Sequence, residues 1–104
     1  MKYKKYHGHP MFYELLKKMG EIHDAKNHDY SEGVKDPFSN FRMSETFGIP
    51  AWRGCLIRMS DKWSRITQLS TKENKVKDES IEDTLIDLAN YALICIILRR
   101  ELKK

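Results

Sequence analysis

Residues 79–104 read ESIEDTLIDLANYALICIILRRELKK, and this stretch decides the fold. Laid out at about 100° per residue, Glu79, Asp83, Asp87 and Asn90 fall on one side of a helix. Ile81, Leu85, Leu88, Ala92 and Cys95 occupy the other side and are expected to face a core. Such a division is the mark of an amphipathic helix. Ser80 followed by Asp83 fits the Ser-x-x-acid pattern that opens helices. After Asn90 the polar face ends. Tyr91–Leu98, YALICIIL, is apolar nearly all round, more than a small domain covers alone, so a homodimer or higher homo-oligomer with this helix at the contact is expected.

Working outward, STKENKVKD at 70–78 is a polar connection. Before it, Pro50 opens a helix whose buried stripe is expected to be Trp52, Leu56, Met59, Trp63 and Ile66. A short helical element, FSNFRMSETFG at 38–48, is stopped by Gly48, and NHDYSEGVKDP at 27–37 breaks the helical period with turn formers. Phe12, Leu15, Leu16, Met19, Ile22 and Ala25 recur at spacings of three and four, which predicts a helix over residues 10–27 with Pro10 in its first turn. Residues 1–9 read as a basic flexible tail and residues 10–104 as a single helical domain. The expected fold is all-α: a compact antiparallel bundle of three main helices plus one short helical element.

Composition agrees. In 104 residues there are only 5 Gly and 3 Pro, which suits helices better than a turn-rich strand fold. With 40% hydrophobic and 33% charged residues the chain is globular rather than disordered. Its net charge of +4 is concentrated at the ends and favours anions, nucleotides above nucleic acid. The N-terminus lacks the apolar core of a secretory signal, and YALICIIL is far shorter than the ~20 residues of a membrane span. No membrane association and a cytoplasmic location, the host cytoplasm if phage-encoded, are expected. Cys55 and Cys95 lie in apolar helical patterns and read as small buried hydrophobes. The four histidines have no Cys partners at zinc spacing, and no Gly-rich phosphate loop is present.

The acidic stripe carries the functional signal. Acids in a first helical turn favour the helix dipole, which accounts for Glu79, Glu82 and Asp83. It does not account for Asp87 or Asn90, which lie beyond that turn and head toward apolar Ile94. Carboxylates stacked at helical spacing repel one another, so removing one without an ion present is expected to leave the fold as stable or more so. Partly buried, they need cations or a metal, and magnesium, with manganese as a substitute, takes carboxylate oxygens together with phosphates. In the preceding helix Arg58, Asp61, Lys62 and Arg65 recur at spacings of three, four and seven. That face either pairs with the acids as surface ion pairs or grips phosphate, with Asp61 as an added metal ligand.

The same residues resemble the nucleotide modification associated domain 1 family, short proteins common in phages and phage-like elements. The resemblance rests on AKNHDYSEG at 25–33, PFSNF at 37–41, RMSDKWSRITQL at 58–69 and VKDESIEDTLIDLANYALICI at 76–96. The family in turn is similar, distantly, to the MazG-like all-α nucleotide pyrophosphohydrolases, which hold magnesium on two helical pairs of acids. The resemblance implies that Asp61, Asp83 and Asp87 fall at or near those acids, and with Glu79 of the stripe they are expected to hold metal and form the catalytic set. It implies that Lys26, Arg58, Lys62 and Arg65 neutralise phosphate, and that Asp29, Tyr30 and Asn90 complete the nucleotide site. Arg58 stands where the first acid of one pair would be, and the acids of the last helix are four apart rather than three. The expected activity is magnesium-dependent hydrolysis of (deoxy)nucleoside triphosphates to monophosphate and pyrophosphate. The alternatives are a non-catalytic nucleotide or nucleic-acid binding module accompanying base modification, or a phage-encoded protein-interaction factor.

Overall fold

The computed structural model of the chain describes residues 6–30, 36–71 and 78–102, with the backbone alone at 29, 30 and 78–80. Every regular element among them is helical, as expected: α1 (Pro10–Tyr30), a 3-10 helix (Ser39–Phe47), α2 (Ala51–Thr71) and α3 (Asp78–Glu101). None is long and apolar enough to cross a membrane. The elements divide between two compact units, residues 1–35 and 36–104.

The first unit holds α1, which starts at Pro10 and runs three residues past the expected end. At the expected end Asn27 bonds back onto the helix, its Nδ2 donating to the His23 carbonyl at 2.9 Å. At the N-terminal end the Tyr6 ring stacks on Tyr13 with centroids 4.3 Å apart.

The second unit is built on α2 and α3, which pack antiparallel. Cys55 Sγ donates to the Tyr91 carbonyl at 3.3 Å, and Cys95 Sγ donates to the Trp52 carbonyl at 3.6 Å. Numbers rise on one helix as they fall on the other. Phe38, Ala51, Cys55, Ile94 and Leu98 form the core, with Phe41, Trp52, Tyr91 and Cys95 packed against it. Both thiols are free and Cys55 is fully buried, as small hydrophobes of a core would be.

The short element is tied down at each end. Asp36 Oδ1 accepts the Phe38 N–H at 2.9 Å, and the Arg42 guanidinium bridges Asp36 and, at 2.9 Å, Glu101 on α3. Arg42 holds the Asp36 carboxyl below its ordinary value, and the Phe38 N–H adds to this. Gly48 ends the element in the left-handed region at φ 77°, where its N–H reaches the Glu45 carbonyl at 3.0 Å. The Pro50 carbonyl then accepts the first bonds of α2, from the N–H groups of Arg53 and Gly54. Gly54 lets the 3-10 helix lie close, because a Cβ there would stand 2.5 Å from Ser44 Oγ.

Two expected core faces are corrected. On α2 the buried residues are Ala51, Cys55 and Ile66, with Trp52 packed alongside, whereas Leu56 is 42% and Trp63 59% exposed. The helix turns its small residues inward, where α3 and the 3-10 helix approach closely. On α3 the buried residues are Thr84, Ile86, Ile94 and Leu98, and Leu85 is 47% exposed. The uniform apolarity of Tyr91–Leu98 gives no unique inward face, so the contact with α2 selects it.

Candidate functional site

The rotation of α2 brings the polar stripe toward α3 rather than away from it. Arg58, Asp61, Lys62 and Arg65 line a shallow groove of about 240 Å³ closed on one side by Tyr91 of α3. Successive turns of one helix supply the four polar side chains, and the antiparallel register supplies the ring.

Each cation is held differently. Lys62 Nζ lies 3.3 Å from Asp87 Oδ2 and 5.8 Å from the Tyr91 ring centroid, and its side chain and that of Asp87 are both mostly shielded. The Arg58 guanidinium carbon sits 5.0 Å from the centroid of Phe41 and 5.7 Å from that of Tyr91. Those two rings meet edge to face at 5.6 Å. Arg65 is exposed at the groove wall. Among the described residues, only Lys62 of these three has a carboxylate partner.

The expected site residues therefore separate. Arg58, Asp61, Lys62 and Arg65 come together, and Asp87 joins them through Lys62. Asn90 is half-buried on α3, and Asp83 is exposed. Lys26 belongs to the first unit. The side chains of Asp29, Tyr30 and Glu79 lie outside the described residues, as does the Ser80 cap. No three His, Cys, Asp or Glu side chains among the described residues converge as a metal centre.

Tyr91, which the resemblance places in the frame of the acidic stripe, and Phe41 beside Arg58 were not among the expected site residues. The available signal was the spacing Thr84, Asp87, Tyr91, Ile94, Leu98, a three-four repeat that places Tyr91 on the inward face next to Asp87.

A family described as nucleotide modification associated domain 1 matches residues 47–98. That span covers α2, α3 as far as Leu98 and every residue lining the groove. No curated protein and no solved structure matches the chain.

Proposed function

The chain belongs to the nucleotide modification associated domain 1 family, and from that premise we propose that it is a nucleotide-handling protein. Its groove takes the phosphates of a (deoxy)nucleoside triphosphate and, with magnesium, hydrolyses it to monophosphate and pyrophosphate. The observation that carries this reading is the gathering of Arg58, Lys62 and Arg65 around one small concavity. Three like charges on adjacent turns repel one another; Asp61 in the groove and Asp87 on Lys62 offset part of this, and the oxygens of a phosphate chain would supply the rest. Arginine suits that role because its planar fork offers paired donors to phosphate oxygens.

Magnesium binds through one or two carboxylates and leaves its remaining positions to water and phosphate, so on this reading it does not need a cluster of three acids. Asp61 at the groove and Asp87 beside Lys62 would hold it, with Asp83 and Glu79 on the preceding turns of α3. Such an ion supplies a Lewis acid for the phosphate and lowers the pKa of a bound water. Arg58 and Arg65 would draw charge from the phosphate oxygens, while Lys62 holds Asp87 in place and stands ready to exchange it for phosphate.

A second reading, nucleotide binding without turnover, draws support from the Lys62–Asp87 pair, which satisfies one acid of the metal set without an ion. One experiment separates the two. Nucleoside triphosphates are incubated with the protein and magnesium and the products resolved by chromatography, while binding is followed by calorimetry. Pyrophosphate release supports the hydrolase. Binding without products supports the second reading, and the absence of both overturns the groove as a nucleotide site.

A further inference from the structure

Among the described cations of the second unit Arg58 lies over two rings, whereas Arg53 and Arg99 each stand over Trp52 alone. Arg42 is clasped by Asp36 and Glu101, and Lys62 by Asp87. Arg58 has no carboxylate partner among the described residues. It lies instead over two rings, Phe41 from the 3-10 helix and Tyr91 from α3, at 5.0 and 5.7 Å. Three elements thus converge on one exposed guanidinium. Only one of the rings lines the groove: Tyr91 does, while Phe41 stands behind, packed against the core.

Ring faces and carboxylates hold an arginine with different consequences. A carboxylate occupies the N–H donors and cancels the charge. A ring face attracts the cation through its quadrupole and leaves the donors at the guanidinium edge free. An exposed arginine also has large rotamer freedom, which any ligand must otherwise quench on binding. The edge-to-face pair at 5.6 Å and 82° fixes the two rings relative to each other, so together they define one orientation for the cation.

We propose that Phe41 and Tyr91 are positioning residues: they pre-orient Arg58 for a polyphosphate while keeping its charge and donors available. This rests on the groove being the phosphate site. It adds the 3-10 helix to that site, since Phe41 acts from behind Arg58 without reaching the ligand.

The test titrates inorganic tripolyphosphate by calorimetry into the wild type, Phe41→Leu, Phe41→Tyr, Tyr91→Leu, Arg58→Ala and the double variant Phe41→Leu with Arg58→Ala. Phe41→Leu weakens binding about two- to fivefold, the range expected of an exposed cation–ring contact. Phe41→Tyr, which keeps the ring, leaves it unchanged. In the Arg58→Ala background Phe41→Leu has no further effect, because the pathway through Arg58 is already gone. In parallel, nitrogen-15 relaxation of the Arg58 Nε–H reads its order directly, and order falls in Phe41→Leu and is kept in Phe41→Tyr. Tyr91 itself lines the groove and lies near Lys62, so Tyr91→Leu is read by Arg58 Nε–H order alone, and it replaces Phe41→Leu in that measurement if the latter does not fold. Equal losses with and without Arg58, or an Arg58 Nε–H as ordered in the Leu variants as in the wild type, overturn the proposal. A wild type that does not bind tripolyphosphate overturns the groove reading instead, and the Nε–H order still decides the positioning claim.

Discussion

At the scale of single residues, Asp87 is where the functional reading is most exposed to test. From the acidic stripe alone, removing one carboxylate relieves repulsion. The ion pair with Lys62 reverses that sign, since Asp87→Asn leaves a mostly shielded ammonium unpaired. Without metal the variant is expected to be about 0.5–1 kcal/mol less stable than the wild type. Magnesium or manganese should raise the melting temperature of the wild type, by about 2.7 kcal/mol of stability at a hundredfold excess over Kd. Asp87→Asn should lose that gain, and scanning calorimetry of both proteins with and without the ion checks it. Cys55 gives a pH signature. Burial, with Cys95 beside it, pushes its thiol from 9.0 up to about 11. The unfolded chain releases this proton first, so the contribution is whole below pH 9 and is lost as pH rises toward 11, about 2–3 kcal/mol in all. Denaturant titrations at pH 8 and 11 should show this loss in the wild type and a smaller one in Cys55→Ala. Arg58, Asp61, Lys62 and Arg65 were legible in the sequence because gathering them needs only the helical period. The Lys62–Asp87 pair and the two rings under Arg58 were not, because they depend on the register between elements, and an aromatic side chain reads first as core.

At the scale of elements, the positions of the helices were legible and their inward faces were only partly so. Pro10, Gly48 and Pro50 act locally, through fixed φ or freedom at positive φ, and so mark where helices start and stop whatever the surroundings. Faces are settled by contact. Tryptophan and leucine on α2 carry the stronger apolar signal, yet α2 buries Ala51 and Cys55, whose small size permits close approach. Glycine at 54 is part of the same logic. Gly54→Ala is expected to force Ser44 away and break its 2.9 Å bond to the Ile49 carbonyl, costing about 1–3 kcal/mol as other overpacked contacts do. Gly48→Ala meets open space but keeps a positive φ, and should cost about 1 kcal/mol. Urea denaturation of the two variants orders them; a Gly54→Ala as stable as the wild type would show that the 3-10 helix does not depend on that approach.

At the scale of the whole molecule, α3 still presents Leu85, Leu93, Ile96 and Ile97 at more than 40% exposure. Apolar side chains repeated along one helix favour association with a second copy. The expected outcome is a homo-oligomer through α3, and sedimentation velocity at micromolar concentration checks it: a lone monomer species would overturn it, and Leu93→Glu should dissociate any dimer found. The all-α class was legible from composition and period; assembly was legible only as an excess of apolar surface, since a chain's sequence names no partner for it. The placement of the two tryptophans has an optical consequence. Trp52 is half-buried with Arg99 4.8 Å from its ring, and Trp63 stands open on the same helix. Their fluorescence should therefore separate into a shielded, blue-shifted emitter and a solvent-relaxed one that acrylamide quenches. Trp63 directly follows the groove residue Lys62 in sequence, so the quenchable signal reports on the middle of α2 and the shielded one on the core, two readings from one unlabelled helix.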